Sequence, residues 1–290
     1  MSNLVFLEKL RQSYIWKRIF YERLTEPLHL NIISIFVALF GSLRAKISFD
    51  LIICHHHAYA LLQAADIAKA RGISSVTAIE FGVAAGAGLL NLQSLAKRVT
   101  AETGVKFEIF GFDTGEGMPP PQSYKDHPDL YQTGEYQMDH ALLAKKLDEN
   151  TTLVLGPIGT TVETFLKKDF STSPIGFVSI DVDYYSSTVD VLQVFKTSPV
   201  NLLPRVVVYL DDLQDNSHNS RCGEQAAIAE FSAETPLRPI EKHPFFRGYR
   251  IFKNARWIDH IYQCHVLDHP WRSSLEKRRQ AITLPNPYLE

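Results

Sequence analysis

Glu80-Phe-Gly82-Val-Ala-Ala-Gly86-Ala-Gly88 forms a glycine-rich turn directly after an apolar, strand-like run at residues 76–81. Glycines at this spacing let the backbone approach a ligand closely, because they carry no Cβ atom. The turn does not match a dinucleotide fingerprint, because Asn91 occupies the third glycine position counted from Gly86. It does not match a P-loop either, because residues 89–90 are leucines where a Lys-Ser/Thr pair is required. A ligand without a phosphate is therefore favoured.

Helix-like and strand-like runs alternate on both sides of this turn. The apolar patterns predict helices at 59–70, 89–98, 137–147 and 223–231, and strands at 76–81, 107–112, 152–155, Ile175–Ile180 and 206–210. Residues 248–252 and 260–266 resemble a closing strand pair. Strands separated by helices imply parallel pairing with right-handed crossovers. The sequence therefore predicts an α/β fold, with a mostly parallel, doubly wound sheet that binds its ligand beyond the carboxyl ends of the strands.

The chain divides into three predicted parts. Residues 1–57 form an N-terminal helical appendage, residues 58–270 the main domain, and residues 271–290 a charged, proline-containing arm. With 290 residues, 45% of them hydrophobic and 21% charged, the chain can bury one large core. The formal net charge of −2 lacks the basic excess of a nucleic-acid binder, so we expect no nucleic-acid partner. The three cysteines have no metal-type spacing, which is typical of a reduced, cytoplasmic protein.

The appendage is the one region where a membrane could take part. Apolar residues recur at helical spacing between Leu4 and Phe20, with basic residues among them, which predicts a basic amphipathic helix. Residues 32–43 are almost wholly apolar but too few to span a bilayer, and no small-residue cleavage site of a signal peptide follows them. We favour a buried helix that covers the main domain or forms a homodimer interface. Weak contact with a membrane surface, and hence a peripheral location, is the alternative.

Carboxylates follow three of the predicted strands. Asp181 follows Ile175–Ile180, and the pair Asp211-Asp212 follows 206–210. If these two strands are parallel neighbours, their ends lie roughly 5 Å apart, so the three carboxylates converge in a way that suits a divalent cation. Asp113 follows the strand after the glycine turn, the usual position of a carboxylate that accepts hydrogen bonds from ribose hydroxyls.

Each of these residues also has a purely structural interpretation. Aspartates at strand ends commonly cap the next helix, and the glycines could only permit close packing of helix on strand. Glu80 could accept hydrogen bonds from nearby backbone groups instead of lying near a cationic or amino group of a ligand. The run His55-His56-His57 lacks spacing to a fourth metal ligand and is interpreted as the polar start of the helix at 59–70. The coincidence of three carboxylates favours the metal site.

At this point the chain resembles class I S-adenosylmethionine-dependent methyltransferases. It is most similar to the macrocin O-methyltransferase family, metal-dependent enzymes that methylate hydroxyls on sugars and other natural products. The matching segments occur in family order: Glu80-Phe-Gly82-Val-Ala-Ala-Gly86-Ala-Gly88, Phe112-Asp-Thr-Gly-Glu-Gly-Met-Pro119, Ile180-Asp-Val-Asp-Tyr-Tyr-Ser-Ser-Thr188, Leu210-Asp-Asp212 and Gly223-Glu-Gln-Ala-Ala-Ile-Ala-Glu-Phe231. The resemblance implies a Rossmann-like fold with an antiparallel C-terminal strand. It also implies S-adenosylmethionine and Mg²⁺ as cofactors.

The resemblance also assigns roles to individual residues. It implies that Gly82, Gly86 and Gly88, with Glu80 beside them, approach the methionine part of the cofactor. It implies that Asp113 holds the ribose. It implies that magnesium is bound by three aspartates: Asp181, Asp211 and Asp212.

Methyl transfer from a sulfonium to an alcohol requires an oriented and largely deprotonated oxygen. A divalent cation held by carboxylates supplies both conditions for a vicinal diol of a glycan or secondary metabolite, the expected small-molecule acceptor. Asp181 and Asp183 are the predicted catalytic residues; Asp183 either completes the coordination or accepts the proton, and His218 is a second candidate base. The loop at 114–128 is expected to cover the substrate or to serve as a rigid connector. The alternative function is a non-catalytic binding or scaffolding protein with the same fold.

Overall fold

A computed structural model of the protein describes residues 16, 19–213, 219–273 and 285–288. Within these residues the chain forms a seven-stranded sheet. The strands are β1 Ser75–Phe81, β2 Lys106–Asp113, β3 Thr151–Leu155, β4 Ile175–Ile180, β5 Leu202–Leu210, β6 Ile240–Lys242 and β7 Ile261–His265. Their spatial order is β3-β2-β1-β4-β5-β7-β6. Strands β1 to β5 pair in parallel, whereas β7 runs antiparallel to both β5 and β6.

Helices connect the strands and form the N-terminal appendage. The α-helices are α1 Leu28–Phe40, α2 Leu43–Ser48, α3 His55–Lys69, α4 Ala87–Thr103, α5 His140–Ala144, α6 Ile158–Phe165, α7 Tyr185–Leu192, α8 Gly223–Glu234, α9 Phe246–Tyr249 and α10 Pro270–Ser273. A π-helical turn lies at Ile19–Arg23, and short 3₁₀ turns lie at Tyr124–Asp126, Gln193–Lys196, Pro199–Asn201 and Arg256–His260.

Both faces of the sheet are covered by helices. On one face, Leu61 of α3 and Leu92 of α4 pack in a core with Phe177 of β4. On the other face, Phe165 of α6 and Phe231 of α8 pack in a second core. Apolar residues on both faces of the parallel strands explain why these strands are continuous hydrophobic runs in the sequence.

The predicted α/β fold is confirmed. The doubly wound, mostly parallel sheet and its antiparallel C-terminal strand have the arrangement of the class I methyltransferase fold. All five predicted parallel strands are present, with ends within a few residues of the expected positions. The helix predicted at 137–147 is shorter, because it begins after Asp139, which caps it, and ends at Ala144.

The predicted closing strand pair is wrong in one member. Strand β7 lies within 260–266, as expected, but residues 248–252 are not a strand. The partner of β7 is β6, Ile240–Lys242, and α9 follows as a short helical turn. β6 is only three residues long and carries Glu241 and Lys242, so it lacks the apolar pattern that identifies a strand.

The helix expected at 32–43 does not cover the main domain in the described chain; its alternative role as a homodimer interface stays a prediction. α1 covers most of this run, but of its 13 residues only Ser34 is buried. The amphipathic helix predicted between Leu4 and Phe20 lies, except for residues 16, 19 and 20, outside the described residues. None of the helices that the structure describes has the length and apolarity needed to cross a membrane.

Arginines fix the end of the appendage to the main body. Arg250 donates from Nη2 to the Asp50 carboxylate at 2.5 Å and to the carbonyl oxygen of Ile47 at 2.9 Å. Arg23 donates to the carbonyl oxygens of Phe49 and Asp50 within the appendage, at 2.8 and 3.0 Å, and its guanidinium group lies over the Phe252 ring of the main domain, 3.7 Å from the ring centroid. Asp50 and Arg250 are both buried, so this ion pair is shielded from solvent and ties the chain after α2 to the segment after α9.

The buried His57 ring makes the free energy of unfolding depend on pH. The helix α3 begins at His55, and its third residue, His57, is only 2% exposed and packs against Phe177. Burial lowers the pKa of His57 from 6.5 to about 3. Below pH 6.5 the unfolded chain therefore binds a proton that the folded chain excludes, so folding loses stability as the pH falls toward 3.

We expect the His57→Leu variant to lose less stability on acidification than the wild-type protein. The slope of the unfolding free energy between these two pKa values should be shallower by about 1 kcal/mol per pH unit, close to the limit for one proton. Urea unfolding at several pH values measures this slope. His140→Leu, at an exposed position, is the matched control and should keep the wild-type slope. Equal slopes for His57→Leu and wild type would contradict the assignment.

Candidate active site

The carboxyl ends of β1, β4 and β5 lie side by side at one edge of the sheet. Phe81 pairs with Ile180, and Ile180 pairs with Leu210. The pairing continues one residue further, because the amide of Asp181 donates to Phe81 at 3.0 Å and the amide of Asp211 donates to Ile180 at 3.1 Å. Backbone hydrogen bonds therefore keep the residues that follow these strands in the same register.

This register brings together the three aspartates that the sequence singled out. Asp181, Asp211 and Asp212 each offer a carboxylate oxygen, and these oxygens all lie within 4.8 Å of one another. Oxygens that bind one Mg²⁺ or Ca²⁺ from opposite sides are at most about 4–5 Å apart, because each lies about 2.0–2.6 Å from the ion. The spacing therefore fits a single divalent cation. Their role as metal ligands stays a prediction.

The electrostatics of the cluster also fit a cation. Loss of solvent, followed by the charges of Asp211 and Asp212, raises the pKa of Asp181 well above its usual range. The Asp181 side chain is exposed to the cavity, so the neighbouring negative charges explain its raised pKa better than loss of solvent does. Burial, followed by the charge of Asp183, raises the pKa of Asp212 to about 8. The buried Oδ2 of Asp212 has no hydrogen-bond partner among the described residues, which leaves it available to a cation.

Two residues that the sequence reasoning missed hold these aspartates in place. The Tyr209 hydroxyl donates to Oδ1 of Asp211 at 2.6 Å, and the His56 ring stacks on Tyr209 at 3.8 Å between centroids. Glu224, buried at the start of α8, accepts from the amide of Asp212 at 3.3 Å. Burial, followed by the charge of Asp212, raises the pKa of Glu224 well above its usual range.

Sequence signals for both residues exist. Tyr209 lies two positions before Asp211 and so has the same strand orientation. Glu224 belongs to the segment Gly223-Glu-Gln-Ala-Ala-Ile-Ala-Glu-Phe231, which carried part of the family resemblance without an assigned role.

Asp183 lies at the rim of the cluster in a strained conformation. Its φ is +58°, in the left-handed region that non-glycine residues rarely adopt. Its side chain lines the same cavity as the three aspartates, and its negative charge helps to raise the pKa of Asp212, so it lies close to the cation cluster. Strain of this kind is found at sites where the surroundings fix a functional side chain. The other candidate base, His218, lies outside the described residues.

The glycines of the first turn make room for neighbouring protein groups. A Cβ atom on Gly82, whose φ is +83°, would lie 1.7 Å from the carbonyl oxygen of Asp181. A Cβ on Gly86 would lie 2.5 Å from the Leu143 side chain, and one on Gly88 would lie 2.0 Å from the Glu80 carboxylate. Gly82 lines the cavity at this edge of the sheet, whereas Gly86 and Gly88 are not among its lining residues. The contact of all three with a cofactor stays a prediction.

Asp113 and Glu80 flank the turn. Asp113 lines the cavity, and its Oδ2 accepts from the amides of Val83 and Ala84, both at 2.9 Å. Its Oδ1 accepts from the amide of Gly115 at 2.7 Å, so the carboxylate shapes the turn and keeps about one of its four acceptor positions for a ribose hydroxyl. Glu80 is buried, and its Oε2 has no partner among the described residues. Burial, followed by the charge of Asp113, raises the pKa of Glu80 to about 8.

The turn and the aspartates line one cavity of about 500 Å³. The volume is in the range of small-molecule and cofactor sites. Six of its lining residues are aspartates: Asp113, Asp181, Asp183, Asp190, Asp211 and Asp212. Among the described residues that line it there is no lysine, arginine or histidine. The field in the cavity therefore favours cationic ligands and opposes phosphates.

The loop at 114–128 forms one wall of this cavity, through residues such as Met118 and Gln122. Asp126 is fully buried and holds the loop at two points. It accepts from the amide of Gln122 at 2.7 Å and from the amide of Ser186, near the start of α7, at 2.8 Å. The loop is thus attached to the segment that carries Asp183. Movement of this loop over a substrate stays a prediction.

Comparisons with known proteins add a likeness of fold. No protein-family model matches the chain, and no curated protein does so. The structure is similar to that of CalS11, a calicheamicin methyltransferase, with 21% identity over 70% of this chain and 77% of that chain and a TM-score of 0.48. It is similar to the O-methyltransferase NovP, with 14% identity over 72% of this chain and 78% of that chain and a TM-score of 0.45.

An apo structure of CalS11, described as a TDP-rhamnose 3′-O-methyltransferase of calicheamicin biosynthesis, is also similar. It has 19% identity over 70% of this chain and 78% of that chain, and a TM-score of 0.42. At these values the comparisons assign no role to any residue of this chain. The closer likeness to the macrocin O-methyltransferase family stays a prediction.

We expect Gly82→Ala to be far more destabilising than Gly72→Ala. Both glycines have positive φ, so either alanine costs about 1–2 kcal/mol of backbone strain, but no heavy atom lies within 4 Å of a Cβ on Gly72. At Gly82 the Cβ meets backbone, which cannot move without separating β1 from β4, and the total loss should reach several kcal/mol. Urea unfolding of both variants measures the difference. Equal losses would show that the close approach to Asp181 is not a constraint.

Proposed function

We propose that the protein is an S-adenosylmethionine-dependent O-methyltransferase that uses Mg²⁺ and acts on a vicinal diol of a sugar or natural product. One observation carries the proposal: Asp181, Asp211 and Asp212 converge in the same cavity as Gly82 of the glycine turn and the carboxylate of Asp113. A cation site and a nucleoside site therefore share one space of about 500 Å³.

The acidity of the cavity supports a sulfonium donor over a nucleotide. Phosphates of a dinucleotide or nucleoside triphosphate would meet aspartates, with no basic side chain among the described lining residues to receive them. A sulfonium carries a positive charge and no phosphate. The Asp113 carboxylate keeps an acceptor position for a ribose hydroxyl. Glu80 does not line the cavity, so its proposed contact with an amino group of the cofactor rests on the family resemblance alone. S-adenosylmethionine, when bound, supplies the electrophilic methyl group.

The aspartate cluster supports catalysis at a hydroxyl. Mg²⁺, when bound, supplies Lewis acidity that lowers the pKa of a hydroxyl. Asp181, Asp211 and Asp212 would hold it, and the Tyr209 hydroxyl fixes the orientation of Asp211. Asp183, which is not one of the three proposed metal ligands, would accept the proton of the attacking hydroxyl. The methyl group leaves sulfur for oxygen, the proton goes to the carboxylate, and neutral S-adenosylhomocysteine remains.

The walls of the cavity favour a neutral acceptor. Apolar side chains, among them Met118, Pro119 and Ile158, line it together with the aspartates. A negatively charged group placed among six carboxylates would be repelled, whereas a polyol can donate hydrogen bonds to them. This combination supports a hydroxylated glycan or natural product whose methylated end is uncharged.

Titration calorimetry with S-adenosylhomocysteine, with and without Mg²⁺, tests the proposal. Wild-type protein should bind S-adenosylhomocysteine and Mg²⁺ but not NAD or ATP. Asp212→Asn should weaken Mg²⁺ binding by at least about 100-fold, because loss of a metal ligand should cost more than loss of a residue that only supports one. The affinity for S-adenosylhomocysteine should remain nearly unchanged. Asp169→Asn, on an exposed loop away from the cavity, is the matched control.

Two outcomes would contradict the proposal. Folded wild-type protein that binds no S-adenosylhomocysteine would remove the methyltransferase assignment. Cofactor binding with the same Mg²⁺ affinity in wild type and Asp212→Asn would keep the cofactor and reject the metal site.

A further inference from the structure

A second cavity, of about 310 Å³, lies away from the active site. Its lining includes Arg205 of β5, Gln263 of β7, Gln63 of α3, and Arg250 and His243 from the segments around α9. It shares no lining residue with the active-site cavity. Arg205 precedes Tyr209 by four strand residues, which is roughly 13 Å along β5. The two cavities are therefore separate ligand spaces on one sheet.

The second cavity has the opposite charge to the first. Arg205 forms no ion pair with any described carboxylate, and its buried Nε has no hydrogen-bond partner among the described residues. Arg250 uses Nη2 for Asp50 and for backbone carbonyls, and its own buried Nε is likewise left without a described partner. Arg250 is 8% exposed, so this donor is well shielded. Two guanidinium groups thus have unused donors at one cavity.

A third buried nitrogen belongs to the same cavity. Nδ1 of His243 has no hydrogen-bond partner in the described structure. Burial, followed by the charge of Arg205, lowers the pKa of His243, so its ring is neutral at neutral pH and can donate from one nitrogen. Buried polar groups are rarely left unsatisfied, and these three nitrogens belong to side chains that line one cavity, so a ligand there would meet all three side chains.

We propose that this cavity binds a small molecule that carries a carboxylate or a phosphate. Guanidinium groups match the planar oxygens of a carboxylate and the oxygens of a phosphate, and they remain charged at all physiological pH values. The side-chain amides of Gln63 and Gln263 add polar partners, and Tyr59 and Phe246 give the ligand an aromatic wall. The volume lies at the lower limit of ligand cavities, so a compact anion fits.

The binding of two probe anions tests this proposal on the full-length protein. Inorganic phosphate and succinate are titrated separately while thermal unfolding is monitored, because a ligand that binds the folded state raises the midpoint. If only phosphate raises the midpoint, the ligand carries a phosphate. If only succinate raises it, the ligand carries a carboxylate. Arg205→Gln, which keeps side-chain length and polarity, should weaken binding of the active probe at least about tenfold.

Matched measurements separate this site from the active site. Arg71→Gln, an exposed arginine outside the cavity, should bind the probe as wild type does. S-adenosylhomocysteine should neither compete with the probe nor lose affinity in Arg205→Gln. The proposal is overturned if neither anion shifts the midpoint, which would mean that water satisfies these donors. It is also overturned if Arg205→Gln binds the probe as tightly as wild type.

Helix α1 carries a separate, unexplained surface. One side of it exposes a continuous set of large apolar side chains: Leu28, Ile32, Ile35, Phe36, Leu39 and Phe40. Phe20, Tyr21 and Leu24, in the turn before it, are exposed as well. Contiguous apolar patches of this kind mark sites of contact with membranes or proteins.

We infer that this apolar face rests on the surface of an anionic membrane. Before α1 the sequence carries basic Lys9, Arg11, Lys17 and Arg18 against acidic Glu8, and the later acidic residues Glu22 and Glu26 contact the protein body near Asn254 and Arg256. A basic stretch of sequence that precedes an apolar helical face suits anionic lipid.

Co-sedimentation with lipid vesicles tests this inference. The wild-type protein should bind vesicles that contain phosphatidylserine more tightly than pure phosphatidylcholine vesicles, and salt should weaken the binding. Phe36→Ser should reduce binding at least about tenfold, whereas Leu267→Ser, an exposed leucine elsewhere, should not. The inference fails if wild type binds neither vesicle or if Phe36→Ser binds equally. It also fails if wild type is a dimer that Phe36→Ser dissociates.

Discussion

The in-step pairing of β1, β4 and β5 is the constraint on which the candidate site depends. Backbone hydrogen bonds extend one residue past the strands, from Asp181 to Phe81 and from Asp211 to Ile180. They hold carboxylates together that would otherwise separate by repulsion. Gly82 is part of the same constraint, because only a residue without Cβ can lie so close to the carbonyl of Asp181. The sheet therefore keeps a charge cluster that a bound cation would relieve.

The two cavities of the molecule differ in the charge of the side chains that line them. The active-site cavity is lined by six aspartates and has no basic side chain among its described lining residues, whereas the second cavity contains two arginines. Each cavity opposes the ligand proposed for the other, so the proposed sulfonium with its divalent cation and the proposed small anion are not expected to compete. The raised pKa values of Asp181 and Asp212 have the same origin as this selectivity, because withdrawal from solvent and neighbouring negative charge disfavour their ionised forms.

The sequence predicted those parts of the structure that depend on local pattern. Apolar runs bounded by Asp113, Asp181 and Asp211 identified the central strands, because strands buried on both faces must be apolar throughout. The convergence of the aspartates followed from parallel topology alone. Features that depend on tertiary contact were not predictable: Glu224 reaches Asp212 from a distant helix, and Gly88 accommodates the buried Glu80. The short β6 was not predicted, because it lacks an apolar pattern. The exposed face of α1 was not predicted either, because an apolar pattern does not show which surface a neighbouring element covers.

Anomalous diffraction from crystals grown with Mn²⁺ and S-adenosylhomocysteine would show whether a divalent cation binds to the aspartate cluster beside the cofactor. Mn²⁺ takes oxygen ligands as Mg²⁺ does and can be located by its anomalous signal. We expect a single strong peak between the carboxylates of Asp181, Asp211 and Asp212, with the sulfur of S-adenosylhomocysteine in the same cavity. A peak elsewhere, or none at this cluster while the cofactor analogue is bound, would contradict it.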